Sequence, residues 1–479
     1  MFSLITLLFV DFTGTLHAYL SWMAKIQFLP AVLALNFVVV VALIALTLVF
    51  GRIYCSVICP LGVMQDVLSH FNWKKNKYSY SKAKTALRVV VLCIFAVAIV
   101  AGATSLASLL APYSSFGRMA QTLLQPVYIG INNLLAMAAE HMDSYAFYHQ
   151  EVWVRSMPTL IVAALSFVVV AVLAIMGGRT YCNTICPVGT VLGFLSRFSW
   201  MKISIDADKC KNCRKCERNC KASCIDIKTH TVDYSRCVAC GNCLGQCSFD
   251  AISYCHQPAS AKKETNENQS KDSGRRQFLV GTGLAVASVA LAQEKKKVDG
   301  GLAVIEDKQI PKRKTPITPP GSISAKHFSQ HCTACQLCVS ECPNDVLRPS
   351  TELDTFMQPK MEYDRGYCRV ECNACSSVCP AGAIKPITLA EKSSIQIGHA
   401  VWVKKNCVAV CDEVNCGNCA RHCPTGAIQM VYPNGDESKP MIPAINEARC
   451  IGCGACEYVC PSRPFSAIYV EGNEVHREN

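Results

Sequence analysis

The chain has 479 residues, a formal net charge of +12, 51% hydrophobic residues and 32 cysteines. That length implies more than one domain. The positive charge comes without a groove-reading or base-stacking motif, which argues against nucleic acid as a partner. Of the cysteines, 27 follow residue 200 in short C-x-x-C runs, the spacing of metal-cluster ligands and not of a secreted disulfide framework.

In chain order, the first 200 residues read as an α-helical membrane domain. A bilayer core takes about 20 apolar residues in a helix, and residues 30–50, 86–111 and 158–177 qualify. Residues 1–10 are too short to span and are expected to be the outer end of a helix that starts upstream. Lys74, Lys75, Lys77, Lys82, Lys84 and Arg88 put the 71–88 connection in the cytoplasm. The 112–157 connection, with two arginines against three acids, then lies outside. Within it residues 123–139, interrupted by Pro126 and two asparagines, read as an interfacial helix.

An internal repeat follows the first and third apolar segments. GRIYCSVICPLGVMQDVLSHFNW (51–73) matches GRTYCNTICPVGTVLGFLSRFSW (178–200) at 12 of 23 positions. Pro60 and Pro187 disfavour helix at the preceding cysteine and suit the first turn of a new one. Leu61, Met64, Val67, Leu68 and Phe71 then form an amphipathic stripe suited to the membrane surface. Two repeats related by a pseudo-two-fold axis would bring together Cys55, Cys59, Cys182 and Cys186. Four thiolates there suit an iron–sulfur cluster or zinc, a pair suits thiol–disulfide chemistry, and buried thiols that only pack are the bland alternative. Cys93, alone in an apolar segment, reads as a packing residue.

Residues 201–256 carry CKNCRKCERNC (210–220) and CVACGNCLGQC (237–247), each C-x2-C-x2-C-x3-C. Tandem runs of this kind signal an α+β ferredoxin-like fold with two [4Fe–4S] clusters, the last cysteine of each run serving the other cluster. One set is Cys210, Cys213, Cys216 and Cys247; the other is Cys237, Cys240, Cys243 and Cys220. Lys221 and Ser248 stand where a proline is usual, and Cys224 and Cys255 fall outside the spacing as spare thiols.

A polar linker, 257–272, leads to residues 273–292, where Arg275-Arg276 precede Phe278-Leu279 and a run of small apolar residues. This reads as a twin-arginine export signal, the address for proteins that cross the inner membrane already folded. Ala290-Leu291-Ala292 resembles a signal-peptidase site, but retention as an anchor keeps the two halves joined. After a second linker, 293–321, residues 322–479 hold four groups that each end in Cys-Pro. Three are followed by an apolar pair expected to lead into a strand: Val346-Leu347, Ala383-Ile384 and Ala427-Ile428. The ligands are Cys332, Cys335, Cys338 and Cys342; Cys368, Cys372, Cys375 and Cys379; Cys416, Cys419 and Cys423 with either Cys407 or Cys411; and Cys450, Cys453, Cys456 and Cys460. Sixteen ligands imply four [4Fe–4S] clusters, making six in all.

The two GRxYCxxICPxG repeats followed by a two-cluster unit resemble NapH, the membrane component associated with periplasmic nitrate reductase, and related repeats occur in NosR. The twin-arginine segment with four cluster groups resembles NapG, so the whole is similar to a NapH–NapG fusion. The resemblance implies a quinol dehydrogenase-type protein of the bacterial inner membrane. It would oxidise quinol or menaquinol and pass electrons to a periplasmic terminal reductase or electron carrier, with residues 201–256 cytoplasmic and the C-terminal domain periplasmic. It also implies that the first group exchanges its last cysteine with the fourth and the second with the third, and it favours Cys407 over Cys411. No nucleotide, flavin or haem-attachment motif accompanies the clusters. His17 and Arg118 are outer-side candidates for meeting quinol. A different class of function is a NosR-like accessory factor that supplies electrons to mature or maintain a periplasmic metalloenzyme.

Overall fold

The computed structural model describes residues 1–71, 78–144, 146–256 and 306–478. The twin-arginine stretch 273–292, the linker 257–272 and residues 293–305 of the second linker lie outside the described residues.

Up to Trp200 the described chain is helical. Of the three expected spans, only the last is one continuous helix, Met157–Gly177, long and apolar enough to cross a membrane. The first breaks at Leu35, in the left-handed region at φ 52°. Asn36 then caps a new helix by accepting from the Val39 N–H, so the apolar run divides into Phe28–Leu33 and Phe37–Phe50. The second ends its helix, Thr85–Val100, where Gly102 turns to φ 78° and the Ala103 N–H returns to the Ala98 carbonyl; Thr104–Leu110 follows. Hydropathy alone hides these stops. Outward faces are apolar, with Val38, Val41, Ile94, Val97, Ile161 and Leu165 exposed.

Other local expectations change as well. Gln125–Glu140 is an unbroken helix because Pro126 sits in its first turn, where its missing N–H costs nothing. Asn132 and Asn133 hold the backbone of Tyr148 and Gln150. The helix after the first repeat, Pro60–Leu68, buries Leu61, Met64 and Gln65, leaving Val67 and Phe71 exposed, so its stripe faces the bundle interior. Cys93 is exposed and packs nothing in the core.

The strand Met201–Ile205 pairs antiparallel with Ile252–His256 around a separate small core of Ile203, Ile225, Ile227 and Val232. In the C-terminal part Leu347–Pro349 pairs with Pro359–Met361, Ile428–Val431 with Ile442–Ile445, and Ile395–Trp402 with Ile468–Glu478. Ile384 leads into no strand, unlike Leu347 and Ile428. One apolar core runs from Ile5, Phe9, Tyr113 and Phe116 into Leu337, Val339 and Val346, so the C-terminal part is seated on the helices.

Three helices touch both iron–sulfur parts, one at each end. Beside the start of Phe37–Phe50, Ala34 meets Gly382, while the Phe50 carbonyl accepts from the Tyr254 hydroxyl at 2.8 Å. Arg88, in the first turn of Thr85–Val100, donates to the Ser235 carbonyl at 3.1 Å; just past the other end, Thr104 donates to Ser329 O. Arg155, before Met157–Gly177, pairs with Asp345 at 3.0 Å, and after that helix the Arg179 N–H reaches Lys221 O at 2.8 Å.

Candidate iron–sulfur centres

In the 201–256 unit a hollow is lined by Cys210, Cys213, Cys216 and Cys247 with Ile205, Ile227, Phe249 and Ile252. The second set, Cys220, Cys237, Cys240 and Cys243, gathers at the side facing the helices. Lys221 and Ala222, beside it, carry carbonyls that hold the Arg179 N–H and the Asn183 amide. A [4Fe–4S] cubane takes one thiolate per iron and so keeps its four cysteines apart around a hollow, whereas a single ion draws them within about 2.3 Å. Among the described residues, no three His, Cys, Asp or Glu side chains close on a single-ion position. The donor chemistry and the hollows fit clusters.

The C-terminal cysteines make four further sets. Cys342 lines a hollow with Cys368, Cys372 and Cys375. Cys379 lies beside Cys332, Cys335 and Cys338. Cys423 joins Cys450, Cys453 and Cys456, and Cys460 joins Cys407, Cys416 and Cys419. The exchange is therefore first with second and third with fourth, correcting the expectation of first with fourth and second with third. The last three ligands of every group keep the same C-x2-C-x3-C spacing, so nothing in the spacing around the exchanged cysteine encodes its partner. Cys407 is in the hollow, while Cys411 is exposed and donates to the Lys405 carbonyl at 2.9 Å.

Three of these thiols need a metal to ionise. Burial pushes Cys216 up to about 11 and Cys243 and Cys453 up to about 12, so at neutral pH only coordination makes them thiolates. Backbone N–H groups are aimed at the last cysteine of several groups: Ala251 at Cys247, Ile384 at Cys379, Ala427 at Cys423 and Ala467 at Cys460, at 3.2 to 3.4 Å. Such bonds stabilise the more negative state of a cluster and tune its potential.

The repeat cysteines Cys55, Cys59, Cys182 and Cys186 are all buried in one core. Around them lies a constellation that the sequence reading missed. Arg52 and Arg179, at equivalent places in the two repeats, are 0% and 1% exposed. Arg179 is balanced by Asp66, at 2.6 Å. Arg52 has no carboxylate partner among the described residues; it donates to Asn183 Oδ1 at 2.9 Å and to the Ser235 and Cys182 carbonyls, and lies 3.7 Å from Cys55 Sγ. A buried cation without an anion costs several kcal/mol, so thiolates at this core would supply the missing charge. The shared Gly-Arg opening of both repeats was the available signal.

On the far side of the helices Gly117 packs against the Cys335 carbonyl, and buried Tyr113 faces Cys335 and Cys379. Phe9 bridges Tyr113 and Phe116, at 5.7 and 6.1 Å between ring centres. His17 pairs with Glu341 at 2.5 Å, and Arg118 is held by Ser108 and Ser115, so neither quinol candidate is free of protein partners.

Three family models match the chain. A 4Fe-4S binding domain covers residues 32–78 and 159–206, each match containing one repeat. Two 4Fe-4S dicluster domain models cover 331–383 with 414–463, and 233–346. The chain is 24% identical over 246 residues to the ferredoxin-type protein NapH of Escherichia coli (strain K12), covering 49% of this chain and 72% of NapH. It is 34% identical over 104 residues to protein MJ0749 of Methanocaldococcus jannaschii, 21% of this chain and 41% of that protein. It is 32% identical over 107 residues to the methylamine utilization ferredoxin-type protein MauM of Methylobacillus flagellatus, 22% and 44%. The chain thus spans less than half the length of the last two relatives.

Proposed function

The chain belongs to the NapH-like ferredoxin-type proteins and has an iron–sulfur electron-transfer role, and from that premise we propose that it takes electrons from membrane quinol and delivers them to a periplasmic reductase or electron carrier. In this reading residues 1–200 sit in the bacterial inner membrane, 201–256 face the cytoplasm, and 322–479 face the periplasm after export through Arg275-Arg276. The observation that carries it is the attachment of the two iron–sulfur parts to opposite ends of the same three apolar helices, whose outward faces suit lipid.

Six [4Fe–4S] clusters are assigned to the six cysteine sets, and Cys55, Cys59, Cys182 and Cys186 to an additional centre. Each cluster, when bound, stores and returns one electron. The protein supplies the path. Arg52 and Arg179 give the repeat cysteines a positive surround, and Lys221 and Ser235 tie them to the set containing Cys220. Toward the other face, Tyr113 and Gly117 seat the set of Cys332, Cys335, Cys338 and Cys379. The set of Cys342 follows; then the Cys368 N–H donates to the Cys453 carbonyl at 2.9 Å, next to the set of Cys423. The set of Cys407 is farthest along this succession, which makes it the exit.

Full-length protein, purified anaerobically into lipid nanodiscs, is expected to show the EPR signals of reduced clusters when mixed with a menaquinol analogue. Clusters that dithionite reduces but quinol does not would overturn the quinol reading and favour an accessory role fed from the cytoplasm. Protease added to the periplasmic face of spheroplasts is expected to remove residues 322–479 and spare 201–256.

A further inference from the structure

We propose that Cys224 is a reserve ligand for the cluster assigned to Cys220, Cys237, Cys240 and Cys243, able to take over the iron that Cys220 holds. The inference rests on that ligand assignment and goes beyond it. Cys224 Sγ lies 3.5 Å from Cys220 Sγ, is 2% exposed, and also faces the Cys237 sulfur. It is held there by the backbone. Ser223 turns through the left-handed region at φ 51°, with its N–H on the Cys220 carbonyl at 2.9 Å, and the Cys224 carbonyl accepts from Asp233 N–H at 2.8 Å.

The other five groups provide an internal comparison. Four residues after their last cysteine stand Ala251, Val346, Ala383, Ala427 and Pro464. At four of these positions the backbone N–H faces the cysteine sulfur: Ala251 to Cys247 at 3.4 Å, Ala427 to Cys423 at 3.2 Å, and Val346 and Ala383 toward Cys342 and Cys379. Cys224 occupies the same position, and its N–H likewise serves Cys220. A small apolar side chain suffices elsewhere; here a thiol is placed between two ligand sulfurs.

The exchange balances without a redox partner. The iron–sulfur bond to Cys220 breaks, the bond to Cys224 forms, and the Cys224 thiol proton passes across the 3.5 Å contact to the released Cys220 thiolate. Ligand count and total charge are unchanged. The loop concerned also docks on the second repeat through Lys221 and Ala222, so the redundancy protects the set that meets the helices.

The test uses the full-length chain, prepared anaerobically, in four forms: Cys220→Ala, Cys224→Ala, Cys220→Ala with Cys224→Ala, and Cys237→Ala as a control. Each single variant at 220 and 224 is expected to keep the wild-type iron and sulfide content, with Cys220→Ala showing shifted EPR g-values for one [4Fe–4S] cluster. The double variant and Cys237→Ala are expected to lose about one to four iron atoms, one cluster's worth or its conversion to a three-iron form. Retained iron at the other sets reports that each variant has folded. Cys220→Ala losing as much iron as the double variant would overturn the reserve role and leave the cluster assignment standing. A double variant with wild-type iron would overturn the assignment itself.

Discussion

Arg52 and Arg179 each reach into the other repeat: Arg52 Nη2 donates to the Cys182 carbonyl at 3.3 Å, and Arg179 Nη1 donates to the Cys55 carbonyl. The crossing explains the glycine two residues past each Cys-Pro. A Cβ on Gly62 would strike the Cys55 carbonyl and stand 3.3 Å from Arg179 Nη1; one on Gly189 would strike the Cys182 carbonyl and stand 2.9 Å from Arg52 Nη2. Neither backbone can yield without disturbing the arginine. Gly62→Ala or Gly189→Ala should each destabilise the protein by about 1–3 kcal/mol, read as a lower Tm. Gly130→Ala, a position with nothing within 4 Å, should not.

His17 ties the first helices to the C-terminal part through an interaction that titrates. Burial alone would lower its pKa, but Asp11 on its own segment and Glu341 across the contact raise it to about 9. A raised pKa means that the stabilisation is complete below the ordinary value near 6.5 and is lost as pH climbs through 9. The shift corresponds to about 3 kcal/mol. After correction for the base-catalysed rise in intrinsic rate, the hydrogen-exchange protection of residues 337–345 should fall between pH 6.5 and 9, and His17→Gln should remove that fall; an unchanged protection profile in the variant would assign the loosening to other groups.

What could be read from the sequence was what is local. Cluster ligands sit three residues apart because the loop between them must wrap one cluster, so Cys210, Cys213 and Cys216 announce themselves. Partnerships across long separations were not written in spacing. Cys342 could have served any of the other groups, and only packing sends it to Cys368. The crossing of Arg52 and Arg179 needs the repeats to face each other in space. Asn36 and Gly102 were visible stop signals, but a hydropathy count treats them as two polar or small residues among twenty apolar ones.

The third C-terminal group gives a clean choice between two cysteines four apart. Cys407 lines the hollow with Cys416, Cys419 and Cys460, while Cys411 faces solvent. The full chain should contain roughly 24 iron atoms if all six ferredoxin-type sets are filled. Cys411→Ser should keep that content, and Cys407→Ser should lose one cluster's share, about four atoms or one if a three-iron form survives. Equal losses in both would mean that the loop between them rearranges on loading.

The repeat cysteines lie between the set of Cys220 and the aromatic side chains that lead to Cys335. Tyr54 and Tyr181, at equivalent positions beside them, are buried, with Tyr54 hydrogen-bonded to Gln27 at 3.0 Å and Tyr181 to the Leu110 carbonyl at 2.9 Å. Leu110 immediately precedes the turn into Pro112–Met119, the helix that carries Tyr113 and Gly117 to the C-terminal cysteines. If electrons must cross from one end of the helices to the other, a span of about 30 Å, a centre at Cys55, Cys59, Cys182 and Cys186 divides the distance. Cys59→Ser or Cys186→Ser should therefore abolish reduction of the C-terminal clusters by quinol while all six ferredoxin-type clusters remain assembled and reducible by dithionite. Because Arg52 has no carboxylate partner among the described residues, Arg52→Gln should weaken the same step without touching iron at the six sets, through loss of the positive surround. Stopped-flow absorbance with a menaquinol analogue reads the rate, and iron analysis reads assembly. Wild-type rates in a variant with all four repeat cysteines changed to serine would reduce these residues to packing and require another route across the helices.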